Sequence, residues 1–372
     1  AVYRKLGLYE DSAEMFGRSL SLKVGIATDS VAVADTLNHY SRLLLDMGEN
    51  RKAEDLALRA LDLYQQHPQA PQDKIAEVYD SLGAVHRKLA KYQDALKYHY
   101  KALAIGEAAL GDEHPSIAQY HSNIGSVYSD FGDYDSAIEH YNKALLVFTQ
   151  ETRNSGAAAQ TYRRLGVAHW HNEDHQLAID YFQTGLALAL ETLGEDHPEV
   201  GWFYSNLGLT HSGRSEYDKA IKYHQKLLKL SESPAVYNNL AFEFMGKGDY
   251  ETALEYLHKA LNIDAGENPL VTATIYETLG QLYTLKIEYN KAIQYFQRAL
   301  SFAPTATTPN HPLVADIHQG MGKAFERKPE YKRALQHYET ALEIRMKKFG
   351  AEHSETRSVQ ADIDRVQGRV RD

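Results

Sequence analysis

A pattern of small and aromatic residues returns along this chain about every 42 residues. One copy reads Asn123, Gly125, Tyr128, Gly132, Tyr134, Ala137, Tyr141 and Ala144. Earlier the same frame runs Ser81, Gly83, His86, Tyr92, Ala95 and Ala102, and later Asn206, Gly208, His211, Tyr217 and Ala220. The position of Ala137 can be followed as Ser12, Ala53, Ala95, Ala137, Ala178, Ala220, Ala253, Ala292 and Ala334. A period of this size means stacked supersecondary units rather than one globular core, because a single unit cannot bury its own apolar face. The nine positions predict nine units, the first truncated, in one array over residues 1–372.

Each unit reads as a helix hairpin. Apolar residues fall at helical spacing from Tyr120 to Phe131, Gly132-Asp133 breaks the helix, and a second helix starts near Tyr134. Gly125 and Ala137 are small, which lets the two helices approach, and Tyr128 and Tyr141 fill the space beside them. Gly111-Asp-Glu-His-Pro115, Gly194-Glu-Asp-His-Pro198 and Asn310-His-Pro312 each set Pro where a helix begins, where its missing N–H has no partner to lose. The acidic residues ahead of these prolines complement the helix dipole. Ser231-Glu-Ser-Pro234 is a short linker and accounts for the 33-residue step between Ala220 and Ala253. Ala303 to Pro309 reads as the most mobile loop. Ser354 to Val370 reads as a terminal cap with Val359, Ile363, Val366 and Val370 on one face and charge on the other.

The frame resembles the tetratricopeptide repeat, and the long repeat with Gly-x-x-His-Pro linkers looks like the kinesin light chain and nephrocystin type. That resemblance implies an all-α, right-handed superhelical solenoid of helix hairpins, closed here by a capping helix over about 354–370. It also implies a non-enzymatic scaffold or adaptor that binds a peptide segment of a partner, cargo included, in a concave groove lined by the first helix of each hairpin.

Composition agrees with a binding array. No apolar run is long enough to span a membrane, and 43% hydrophobic with 24% charged residues suits a folded chain. There is no cysteine, which removes disulfides, thiolate zinc sites and a cysteine nucleophile. The net charge of −10 argues against nonspecific nucleic-acid binding. A cytoplasmic location is expected, with no cofactor, no nucleic acid and no membrane insertion. The chain opens inside a repeat without Met, so it reads as a fragment. The alternative function is therefore a sensor or regulatory array whose effector domain lies outside this segment.

Chemical constellations are weak. His169, His171 and His175 form the densest histidine group, but His169 and His175 occupy ordinary aromatic positions of the repeat, so no metal site is expected. Gly320-Met-Gly322-Lys323 lacks the earlier glycine, the following Ser or Thr and the preceding strand of a phosphate loop. No catalytic residues are predicted.

The groove follows from register. On the helix holding Asn123, the inward stripe is Gln119, Ser122, Asn123, Ser126, Ser129 and Asp130. Transferred along the chain it selects Arg163, Arg164, Trp170 and His171, then Trp202, Asn206 and Leu209, then Asn238, Asn239, Phe242 and Met245. Both tryptophans of the chain fall on it. The apolar members predict a recognition patch, and Asn123, Asn206 and Asn239 share one register position, where an amide can donate to and accept from an extended backbone. Arg163, Arg164 and His171 beside Trp170 predict an aromatic and acidic ligand, as the cargo motifs of the kinesin light chain resemblance also imply. The carboxylate clamp of chaperone-tail binders is not expected, because the position after the small residue is never Asn.

Overall fold

The computed structural model describes residue 15 and residues 30–149, 155–264, 266–306 and 311–371. The described residues form seventeen helices and no strand. In order they are α1 (Ser30–Asp46), α2 (Asn50–Gln66), α3 (Gln72–Lys88), α4 (Tyr92–Leu110), α5 (Pro115–Phe131), α6 (Tyr134–Phe148), α7 (Ser155–His171), α8 (His175–Leu193) and α9 (Pro198–Gly213). There follow α10 (Tyr217–Leu230), α11 (Pro234–Gly246), α12 (Tyr250–Asp264), α13 (Pro269–Leu285), α14 (Tyr289–Ala306), α15 (Pro312–Arg327), α16 (Tyr331–Phe349) and α17 (Ser354–Arg371). Odd and even helices pair as hairpins, and α17 is the cap. Ser12 and residues 307–309 lie outside the described residues, as does the side chain of Val370.

Two compact units meet within α9, one ending at Phe203 and the other starting at Tyr204. Inside each, a hairpin closes the same way. The first-helix glycine leaves room for an aromatic ring sixteen residues on: Gly125 faces Tyr141 and Gly166 faces Phe182 in the first unit, and Gly280 faces Phe296 and Gly322 faces Tyr338 in the second. Burying such a ring contributes roughly 1.5–3 kcal/mol, so the glycine's small size is repaid in packing.

A second aromatic pair, nineteen residues apart, recurs in every hairpin after the first. Tyr79 stacks with Tyr98, and Tyr276 with Tyr295; at two hairpins both partners are histidine, His121 with His140 and His318 with His337. Those imidazoles meet Nδ1 to Nδ1 at 3.0 and 2.9 Å, so one ring donates and the other accepts.

The prolines start their helices as the linkers predict, at Pro115, Pro198, Pro234 and Pro312. At Pro115, Pro198 and Pro312 the histidine before the proline does the capping. Nδ1 of His114 accepts the Ser116 N–H at 3.2 Å, Nδ1 of His197 the Glu199 N–H at 3.2 Å, and Nδ1 of His311 the Leu313 N–H at 3.2 Å. This satisfies one otherwise orphaned backbone donor per helix.

Successive first helices touch one another within each unit: α1 with α3, α3 with α5, α5 with α7, then α11 with α13 and α13 with α15. In each unit these first helices form one wall. The cap continues the frame, with Val359, Ile363 and Val366 buried in the core of the last hairpins.

Candidate functional site

Polar rungs one repeat apart tie the first helices together within each unit. The Asn123 amide donates to both Asp80 oxygens at 2.9 and 3.0 Å and accepts from Gln119 at 2.9 Å, while Asp80 also holds His99 at 2.7 Å. Arg87 bonds Asp130 at 2.7 Å. In the second unit, Gln319 donates to Asp362 at 2.7 Å. Asn123, expected to read a ligand, is therefore committed to its neighbours.

The same rung claims Arg164. Its guanidinium donates to the Ser122 hydroxyl and to the Ser122 carbonyl at 3.5 Å, and it is deeply desolvated, which lowers its pKa. Arg163 also has protein partners. It donates to Glu199 at 3.2 Å and lies 5.9 Å over the Trp202 ring. Both arginines thus have protein partners, and Glu199, one helical turn before Trp202, neutralises Arg163.

Both tryptophans face solvent. Trp170 is 40% and Trp202 is 59% exposed. Trp170 stands edge-on to His171 at 5.0 Å, and His171 stacks flat on Tyr134 at 4.6 Å and 3°. Trp170 also reaches to 6.4 Å from His175. The three histidines of the cluster thus turn to different neighbours: His169 stacks on Tyr181 at 5.1 Å and pairs with Asp174 at 3.4 Å. Among the described residues no group of three or more His, Asp or Glu is placed to hold a metal.

In the second unit Leu209 is 46% and Phe242 is 48% exposed. Met245 is not on the wall. It is 6% exposed and packs with Tyr237, Ala253, Leu257 and Leu282. Three residues beyond Phe242, it is rotated about 60° toward α12, where the flexible thioether fills the gap beside Ala253. Asn206 has a polar or ring partner, Asn238 and Asn239 are half-buried, and the Asn238 side-chain oxygen is buried without a partner.

Sequence reasoning missed the buried titratable groups of this unit. His224 and Glu243 lie 3.6 Å apart and almost wholly enclosed; burial pushes His224 down to about 4 and Glu243 up to about 7. Glu277 is pushed up to about 8 by burial, with Asp316 adding to the shift, and Gln281 donates to it. Their signal in the sequence was present. His224 stands where Tyr141 stands, and Glu277 where Ser122 stands.

The sequence matches the tetratricopeptide repeat over residues 74–150, 157–233, 232–305 and 288–347, and a second description of that repeat over 123–189. Compared with curated proteins by sequence, the chain has no match. Among solved structures it is similar to the apo form of the quorum sensor NprR from B. thuringiensis, with 16% identity, a TM-score of 0.70, 92% of this chain and 98% of that one covered. It is also similar to the apo form of RapI, with 15% identity, a TM-score of 0.66, and coverage of 92% and 99%. A tetratricopeptide repeat protein from Parabacteroides merdae is 18% identical, with a TM-score of 0.52 and coverage of 78% and 98%. No helix among the described residues is long and apolar enough to cross a membrane.

Proposed function

Because the chain belongs to the tetratricopeptide repeat family, we propose that it is a non-enzymatic scaffold or adaptor whose first-helix wall binds a segment of a partner protein, with Trp170 and Trp202 as anchors. The observation that carries this reading is their exposure. The core positions of the frame are filled by other residues, so two large rings stay in water on the wall. An aromatic side chain buries roughly 150–250 Å², and interface energy concentrates in such anchors. Leu209 and Phe242 are the corresponding anchors in the second unit.

The ligand preferred at the tryptophans is aromatic or bulky and apolar. An acidic residue there must compete with Glu199 for Arg163, so charge adds less to selection at this place than the sequence suggests. NprR, which shares the fold, is a quorum sensor; that role is its own, and for this chain the likeness supports an array that binds something.

The test is selection from a displayed peptide library, followed by affinity measurement on the wild type and on Trp170→Ala with Trp202→Ala. Binding of the selected peptides should weaken by about 2 kcal/mol or more per ring, the range of interface anchors, with little change in melting temperature. Unchanged affinity in the double variant, or a collapse of its fold, overturns the assignment.

A further inference from the structure

One row of the second unit's wall has a composition that the first unit's wall lacks. The residue after the close-packed glycine or alanine of each first helix is Leu209, Phe242, Gln281 and Lys323. In the first unit the same row is Arg42, Ala84, Ser126 and Val167, an exposed cation followed by small residues that are at least half-buried, with no exposed apolar side chain. The second unit's row therefore runs from two exposed apolar side chains, through an amide, to an exposed cation.

Lys323 has no ion-pair partner among the described residues, and the carboxylates around it are engaged. Glu326 is held by Arg365 at 2.8 Å, Arg369 at 3.3 Å and the Tyr338 hydroxyl at 2.9 Å. Asp316 is held by Arg345 at 2.6 Å. Glu277 is buried and accepts from Gln281, and burial raises its pKa against the pull of Gln281 and Lys323. A carboxylate brought from outside is what the Lys323 ammonium lacks.

Spacing narrows the shape of the ligand. First helices pack on one another from α11 to α13 and from α13 to α15, and packed helices lie about 8–10 Å apart. A polyproline II segment turns once in three residues and rises about 3.1 Å per residue, so every third side chain faces the same way about 9 Å apart. A β-strand alternates faces, and residues three apart point oppositely. A helix would match with residues seven apart, but its backbone is satisfied internally. Asn239, three residues before Phe242 and half-buried, has no hydrogen-bond partner among the described residues and suits a backbone with free N–H and C=O groups.

We propose that the row Leu209, Phe242, Gln281 and Lys323 is a second docking face, for a polyproline II-like segment of a partner protein with bulky apolar side chains at i and i+3 and an Asp or Glu at i+9. This rests on the reading of the first-helix wall as the binding face, but not on the tryptophans.

The experiment uses the full chain and fluorescein-labelled proline-rich peptides carrying Phe at i and i+3 and Glu at i+9, made in both chain directions. Controls move the side chains to i, i+2 and i+4, place them seven apart on a helical peptide, or replace Glu with Lys. Phe242→Ala and Lys323→Glu change exposed side chains, and circular dichroism confirms their folding. Each should weaken the cognate peptide at least tenfold, Lys323→Glu should recover affinity for the Lys peptide, and Trp170→Ala with Trp202→Ala should leave the cognate peptide unaffected. Equal binding of the respaced peptides, preference for the helical peptide, or indifference to Lys323→Glu overturns the proposal. If the tryptophan variant alone loses its library-selected peptides, the proposed function stands and this second face falls; if only the row variants lose binding, the reverse holds.

Discussion

Gly125 carries no side chain because none fits: a Cβ there would lie 2.8 Å from the Tyr141 ring and 3.1 Å from the Ala137 carbonyl oxygen. The ring is enclosed and the carbonyl is backbone, so neither can step aside without moving α6. Gly125→Ala is expected to cost about 1–3 kcal/mol, the range of overpacking, read as a shift of the urea midpoint. A variant as stable as the wild type would show that the hairpin has slack. This contact was legible, since the recurrence of Gly125 with Ala137 and Tyr141 states it in sequence. The wall was legible only in part. Trp170, Trp202, Leu209 and Phe242 are exposed. Met245 is not on the wall, because a helical stripe is about 100° wide and its margin faces either solvent or the next helix, depending on a gap that another helix leaves. Nor does one chain's register show that Arg164 meets Ser122 across a repeat, since that contact depends on how far neighbouring helices slide.

At the scale of the element, seven of the eight described hairpins turn through one left-handed residue, at Gly48, Gly132 and Gly248 but also at Ala90, Glu173, Ser215 and Ile287. Glycine adopts that conformation freely, whereas a β-branched residue meets its own backbone. Ile287, at φ 64°, is exposed and gains little packing in return. Ile287→Gly should stabilise the chain by about 1 kcal/mol, since the left-handed conformation costs an L-residue roughly 1–2 kcal/mol, partly offset by glycine's greater freedom when unfolded. A lower melting temperature in the variant would mean that the Ile287 side chain makes a contact worth more than the strain. The sequence marks these turns wherever Gly-Asp stands, and it places helix starts through proline. It was silent on the caps, because histidine is an uncommon N-cap and its role in Gly-x-x-His-Pro emerges only from the Nδ1 geometry of His114, His197 and His311.

Over the whole molecule, buried titratable groups set an acid limit and an alkaline limit on stability. Burial holds His140, His224 and His337 down to about 4, from an ordinary 6.5. Their contribution is complete above pH 6.5 and is lost as the pH falls toward 4, because the unfolded chain then binds protons that the folded one refuses. In the two histidine pairs a second proton would also set two N–H groups against each other at about 3 Å. Glu243 and Glu277 act in the opposite sense. Held up to about 7 and about 8 from 4.5, they favour the folded state below pH 4.5, and that preference is lost as the pH rises through 7 and 8. Between 4.5 and 6.5 three histidines oppose two carboxyls, which leaves a net rise of one group's slope, about 1.4 kcal/mol per pH unit. Above 6.5 the histidine contribution is constant and only the carboxyls titrate, so stability should peak near pH 6–6.5. It should then fall by about 3 kcal/mol by pH 8, at about 1.4 kcal/mol per pH unit for each titrating group. Urea unfolding at pH 6.5 and pH 8 measures the difference directly. Glu243→Gln together with Glu277→Gln should flatten the alkaline limb while leaving the acid limb in place. A limb that persists in the double variant would assign the alkaline loss to other groups, and a wild type equally stable at both pH values would show that water reaches these carboxyls in the folded chain.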